Sequence, residues 1–95
     1  MTYNTLKEIK AANAAAGQHF FEPATMRFFN SRVSARLIAG RYFISSERFD
    51  ETTPRRYTVR IANDDGTIDT VGEFQQYPTM AQARAAAEAL EAVQS

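Results

Sequence analysis

A chain of 95 residues with 44% hydrophobic and 12% aromatic content is ordinary for one globular domain, and a domain this short buries only about 60 to 65% of the surface its unfolded form exposes, room for one modest core. Eleven Lys and Arg balance eleven Asp and Glu, which removes the long-range field that draws a protein to nucleic acid or to an anionic membrane surface. The absence of cysteine excludes disulfides, thiol catalysis and the common zinc sites, and makes the cytoplasm the default expectation.

Thr5-Leu6-Lys7-Glu8 has the spacing of a capping box, so a helix is expected to begin there. Leu6, Ile9, Ala12 and Ala16 keep one apolar stripe, with Lys7, Lys10 and Asn13 off it, and Gly17 supplies a left-handed stop. Lys7, Glu8 and Lys10 interrupt the apolar residues between Thr2 and Gly17, so the stretch does not read as a signal peptide, and no window approaches a membrane span. Pro23 suits the first turn of a short second helix running to Asn30, with Met26 and Phe29 on one face. Phe20, Phe21, Phe28 and Phe29 are expected mostly in the core, since burying each ring is worth roughly 1.5 to 3 kcal/mol.

Three strands follow. Leu37 to Ser46 is β-rich on both parities, so both faces are expected to be partly covered. Arg56 to Ala62 alternates cleanly, with Tyr57, Val59 and Ile61 on one side and Arg56, Thr58 and Arg60 on a wet one. Asn63-Asp64-Asp65-Gly66 is a hairpin turn. The third strand runs from Thr67 to about Gln75, with Ile68, Thr70, Gly72 and Phe74 inward and Asp69, Val71, Glu73 and Gln75 outward. Thr79 and Gln82 repeat the capping-box spacing at the start of an alanine-rich helix whose buried stripe is Met80, Ala83, Ala87, Leu90 and Val93. The expected fold is α+β: a three-stranded antiparallel sheet flanked by an N-terminal helix region, one long and one short helix, and a C-terminal helix, in the order α-α-β-β-β-α within a single domain spanning residues 1–95.

Little in the chain is arranged for catalysis. His19 is the only histidine, which leaves no triad or multi-histidine metal site, and its place after a helix stop suits a linker residue. Asp50-Glu51 and Asp64-Asp65 are adjacent pairs beside turn residues, where adjacency points the two side chains apart and the turn already explains them. The second pair lacks the spacing of a calcium loop. Ser45-Ser46 has no glycine elbow, and no glycine-rich phosphate loop exists. No cofactor and no metal are expected. The most suggestive feature is arginine on the sheet: Arg41, Arg56 and Arg60, with Arg48 and Arg55 nearby, form a candidate phosphate-binding face, unless Arg56 and Arg60 pair with Asp69 and Glu73 across the hairpin.

Three resemblances bear on function. The order helix, three strands, helix resembles that of double-stranded-RNA-binding domains, a family that grips phosphates with lysines at the start of its last helix; Thr79 to Arg84 supplies one arginine there. Tyr57-Thr58-Val59-Arg60, the Asp-Gly turn, Gly72-Glu73-Phe74 and the alanine-rich helix resemble the arm-type DNA-binding domain of phage integrases, with Asp69 and Glu73 in place of its basic third strand. Over most of its length, through Thr25-Met26-Arg27-Phe28-Phe29-Asn30-Ser31-Arg32, Gly40-Arg41-Tyr42-Phe43-Ile44-Ser45-Ser46-Glu47, Arg55-Arg56-Tyr57-Thr58-Val59-Arg60 and Gly72-Glu73-Phe74-Gln75, the chain is similar to small uncharacterised proteins of phages and mobile elements. That similarity implies an accessory gene product that binds a host or phage protein, an inhibitor of host defence being one version, and it transfers no functional residues. The expected function is therefore a non-enzymatic protein-binding module with no membrane association. The alternative is a nucleic-acid-binding module or small regulator using the sheet arginines, and homodimerisation through an uncovered sheet edge or aromatic patch stays open.

Overall fold

The computed structural model describes residues 3–28, 30–34 and 36–94, the side chains of residues 92–94 apart. It is α+β, with helices α1 (Leu6–Ala15), α2 (Pro23–Phe28) and α3 (Met80–Gln94) and strands β1 (Arg32–Val33), β2 (Tyr42–Glu47), β3 (Arg56–Ala62) and β4 (Ile68–Val71). The strands form one antiparallel meander in the order β1-β2-β3-β4. The sheet therefore has four strands, not the expected three. The β-rich run from Leu37 is broken by Ala39 and Gly40, both at positive φ, 56° and 69°. Ile38 and Tyr42 exchange backbone hydrogen bonds across this tight turn, and the chain before it supplies β1, which pairs Arg32 with Ser46 and Val33 with Ser45.

Both helix starts follow their caps. Thr5 Oγ1 accepts the Glu8 N–H and Glu8 Oε2 accepts the Asn4 N–H, while Thr79 Oγ1 accepts the Gln82 N–H. The short second helix ends at Phe28, before Asn30 at φ 50°, and Phe29 and the Val93 side chain lie outside the described residues.

Alternation divides the sheet into two covered faces. Tyr42, Ile44 and Val59 pack with Ile38 against Ala83 and Ala87 of α3, whose small side chains let the helix lie close. On the opposite face Phe43 and Ala62 meet Ile9 of α1 with Tyr3, and Leu6, Phe20, Phe21, Val33 and Ile68 close around them. Phe43 is fully buried and lies 6.0 Å from Phe20 and 5.9 Å from Phe21, centroid to centroid. The wet face expected for β3 is thus covered over much of its length.

Three further expectations change. Asn13, placed off the apolar stripe of α1, is buried: its Nδ2 donates to Gly66 O and its Oδ1 accepts the Phe20 N–H, so it ties the helix to the hairpin. Gly66 stands at φ 89° so close to α1 that a Cβ there would meet Ala12 O at 2.2 Å. β4 stops at Val71 because Gly72 turns at φ 79°, which puts Phe74 outside the strand and makes it 47% exposed. Both parities of β4 face a core, Ile68 that of α1 and Val71 that of α3.

Candidate functional site

The α1 face of the sheet changes character toward the far end of β2 and β3. Register sets Phe43 opposite Arg60, Ser45 opposite Thr58 and Glu47 opposite Arg56, so below the phenylalanine core the inward side chains are polar. Glu47 is 1% exposed; its Oε1 accepts from Thr58 Oγ1 at 2.8 Å, and that hydroxyl accepts the Gln75 N–H. Arg60 donates from Nε to Ser45 Oγ at 2.9 Å and from Nη1 to Thr70 Oγ1, and its Nη2 stands 3.8 Å from Glu47 Oε2. Its guanidinium lies between two rings, 5.1 Å from the centre of Phe20 and 5.5 Å from that of Phe74, an arrangement that stabilises a partly desolvated cation. Burial pushes the Arg60 pKa down and Glu47 opposes that shift. Glu47 Oε2 has no hydrogen-bond donor among the described residues.

Two hollows open above this layer, and a third shares Met26 with the first and Arg48 with the second. One of about 260 Å³ lies over Arg60 between Phe20, Met26 and Phe74. A second, of about 460 Å³, is lined by Phe28, Glu47, Arg48, Phe49, Phe74 and Gln75. Phe28 and Phe49 at its edge are 80% and 86% exposed; of the phenylalanines expected mostly in the core, Phe20 and Phe21 pack against it and Phe28 does not. The third, of about 240 Å³, is lined by Met26, Arg27, Asn30, Ser31, Arg32, Arg48 and Arg55.

What brings four arginines to that third hollow is a set of backbone clasps. Arg55 Nη1 donates to Asn30 O, Ser46 O and Ser46 Oγ, at 2.8, 2.8 and 3.1 Å. Asn30 Nδ2 donates to Arg48 O, and the Ser31 N–H to Met26 O. The turn between α2 and β1 is thereby held against the end of β2, with Arg27 at the end of α2, Arg32 on β1, Arg48 just past β2 and Arg55 just before β3. Burial first, then Arg32 and Arg48, lowers the Arg55 pKa, with smaller opposing effects from Tyr57 and Glu47.

The arginines singled out in the sequence are not brought together. Arg41 lies in the turn before β2 and lines a separate hollow with Asp64, Asp65 and Asp69. Arg56 donates to Gln75 O and Gln76 O, and Arg60 is the half-buried cation described above. Neither pairs with the acid expected across the hairpin: Asp69 stands opposite Ile61 and accepts from Asn63 Nδ2. His19 is exposed and its Nδ1 lies 2.8 Å from Glu22 Oε1. Among the described residues no group of three or more His, Cys, Asp or Glu is placed to hold a metal ion, and no helix is long and apolar enough to cross a membrane.

A family model matches residues 5–88. The chain belongs to DUF7447, a family of unknown function. The matched stretch takes in every strand and α1, α2 and the greater part of α3, and with them all four clustered arginines and the exposed phenylalanines. No curated protein and no solved structure matches the chain.

Proposed function

We propose that this DUF7447 chain is a non-enzymatic binding module that acts by contact with another protein. The observation that carries the reading is the grouping of Phe28, Phe49 and Phe74 around one hollow while 80%, 86% and 47% exposed. Phe28 and Phe49, each exposed over most of its surface, forgo much of the about 1.5 to 3 kcal/mol that full burial of a ring is worth, and an apolar patch with polar groups at its rim is the usual mark of a protein-interaction surface. Aromatic side chains with arginine beside them match the composition of interface hot spots. The occupant is an apolar side chain of the partner.

The turn carboxylates support a non-enzymatic reading, because Asp50 and Asp65 each accept from neighbouring threonines in exposed turns. The resemblance read from the sequence to small phage and mobile-element proteins is what suggests a host or phage protein as the partner, met in the cytoplasm, with inhibition of a host defence protein as the specific form. Nucleic-acid binding through Arg41, Arg56 and Arg60 has less support, since the first lies among three aspartates, the second is engaged by carbonyls and the third is half-buried and bonded to Ser45 and Thr70.

The test is affinity capture from a bacterial lysate with the wild-type chain and with the Phe28→Ser/Phe49→Ser variant side by side, its fold verified by circular dichroism, followed by mass spectrometry. A protein recovered in stoichiometric amount by the first and lost from the second is the expected result. Recovery of no stoichiometric partner, equal recovery by both, or rings occupied by a second copy of this chain in solution would each count against it.

A further inference from the structure

We propose that the hollow lined by Arg27, Arg32, Arg48 and Arg55 is an anion subsite, taking a carboxylate or phosphoryl group on a partner protein segment whose adjoining apolar side chain enters the phenylalanine hollow. The inference rests on the protein-binding reading above and names the partner's chemistry.

Four guanidiniums line a space of about 240 Å³, and none of the described lining residues is acidic. That concentration occurs in a chain whose charges balance overall, so cations have been gathered locally against their mutual repulsion. Arg27 and Arg32 are exposed and in no ion pair among the described residues. Among the described residues Arg55 donates through Nη1 alone, and Arg48 keeps a buried Nε–H with no acceptor. Guanidinium forks match the paired oxygens of carboxylate and phosphoryl groups, and hydrogen bonds between charged partners are about twice as strong as neutral ones. An oxyanion would supply the missing acceptors and relieve the repulsion together.

Arg48 lines both this hollow and the one between Phe28, Phe49 and Phe74. The two subsites are therefore contiguous, and they fit neighbouring side chains of one segment, one anionic and one apolar. A nucleic-acid strand fits less well. Its phosphates need a basic track, whereas Asp50 and Glu51 directly follow the exposed Phe49, and Asp50 is held in its charged form by hydrogen bonds from Thr52 and Thr53.

The test is an NMR titration of the isotope-labelled chain with four probes: a synthetic peptide carrying two glutamates followed by phenylalanine, its phosphoserine counterpart, its glutamine counterpart, and oligothymidylate. The two anionic peptides should shift the amides around residues 27, 32, 48 and 55, and the glutamine peptide should bind about tenfold or more weakly than the glutamate peptide. Arg32→Gln should weaken the anionic peptides by about tenfold, and Arg36→Gln, which removes an exposed arginine outside the hollow, should leave them nearly unchanged; the amide spectrum of each variant verifies its fold. Equal affinity for the glutamine and glutamate peptides, combined with loss of both in Phe49→Ser, would overturn the anion subsite and leave the phenylalanine reading standing. Tighter binding of oligothymidylate than of either anionic peptide, or no binding of any anionic peptide, would overturn it too.

Discussion

On the α3 side the sheet offers Tyr42, Ile44 and Val59 to Ala83 and Ala87, whereas on the α1 side the core of Phe43, Phe20 and Phe21 gives way to Ser45, Glu47, Thr58 and Arg60. The first face closes mainly by fit: apolar strand residues meet helix positions reduced to methyl groups. The second face leaves a carboxylate and a guanidinium out of water, satisfied mainly by hydroxyls and ring faces. Burying a charge costs several kcal/mol unless its bonds are well made, so a domain of this size gains less from that layer than from a hydrocarbon one. The margin of the costlier face is where the exposed phenylalanines and the clustered arginines lie. Departures of this kind from the best local choice are expected where a protein carries function.

The largest effect should come from halving the buried pair. Arg60→Ala leaves the buried Glu47 carboxyl without its cation and removes the guanidinium from between Phe20 and Phe74, so a loss of about 3 to 5 kcal/mol is expected in urea unfolding. Replacing both members, as Glu47→Leu with Arg60→Met, should recover most of that loss, because an apolar pair of similar size carries no desolvation cost. If the double variant were as unstable as the single one, the layer would be a source of stability in its own right, and the contrast between the two faces would fail.

The α3 face should respond to volume and not to charge. Ala87 is fully buried against the sheet, so Ala87→Leu forces overpacking and should cost about 1 to 3 kcal/mol. The same change at exposed Ala89 on the outer side of the helix should stay within about 0.5 kcal/mol. Thermal unfolding of the two variants compares them directly, and similar losses would mean that α3 is not seated by its small residues.

How far these regions could be read from the sequence follows from the same division. β3 takes the expected bounds, Arg56–Ala62, because Tyr57, Val59 and Ile61 alternate against residues that are mostly polar. α3 starts where Thr79 can cap it. The run from Leu37 misleads because Ala39 adopts a left-handed turn that composition does not mark, and β1, only two residues long, has too little pattern to register. Parity places Arg56 and Arg60 on one face of β3 correctly, yet it cannot say that Phe20, from a loop forty residues away in sequence order, covers one of them. The four clustered arginines come from α2, β1 and the two ends of the loop between β2 and β3. No spacing relates them; they meet because Arg55 clasps Asn30 and Ser46, a tertiary contact. Exposure of Phe28 and Phe49 could not be read from the sequence, because large aromatics are expected to be buried, and it is the feature on which the proposed binding role rests.

A smaller effect, of opposite sign, should come from the arginine cluster. Burial and the neighbouring Arg32 and Arg48 lower the Arg55 pKa, so in the unliganded chain the cluster opposes folding, with solvent screening reducing the interaction. Arg32→Gln should therefore raise stability by a few tenths of a kcal/mol in dilute buffer, and the gain should shrink as salt is added. Arg36→Gln, which lies outside the hollow, should give no gain. A variant that becomes more stable while losing a ligand is what a binding site held at the expense of stability predicts. A loss of stability in Arg32→Gln would show instead that the cluster is structural.

The smallest effect is the pH dependence of the two turns that bracket β3. Hydrogen bonds from the Thr67 hydroxyl and amide lower the Asp65 pKa, and those from Thr52 and Thr53 lower that of Asp50, each from the ordinary value of 3.8. A depressed carboxylate pKa contributes stability that is present above the unfolded value and is lost as pH falls through the folded one, so both contributions fade only on the acid side of 3.8. The turns differ in what they hold. The turn containing Asp65 is docked on α1 through Gly66 against Ala12 and through Asn13, whereas Asp50 and Thr52 are exposed in a loop beside Phe49. Asp65→Asn should therefore flatten the acid limb of global unfolding, measured as melting temperature against pH. Asp50→Asn should leave that limb unchanged and speed hydrogen exchange only at Thr52 and its neighbours. Equal flattening by both would mean that the loop next to the phenylalanine hollow is as firmly part of the folded core as the hairpin that α1 covers, and so poorly suited to adjust around a partner.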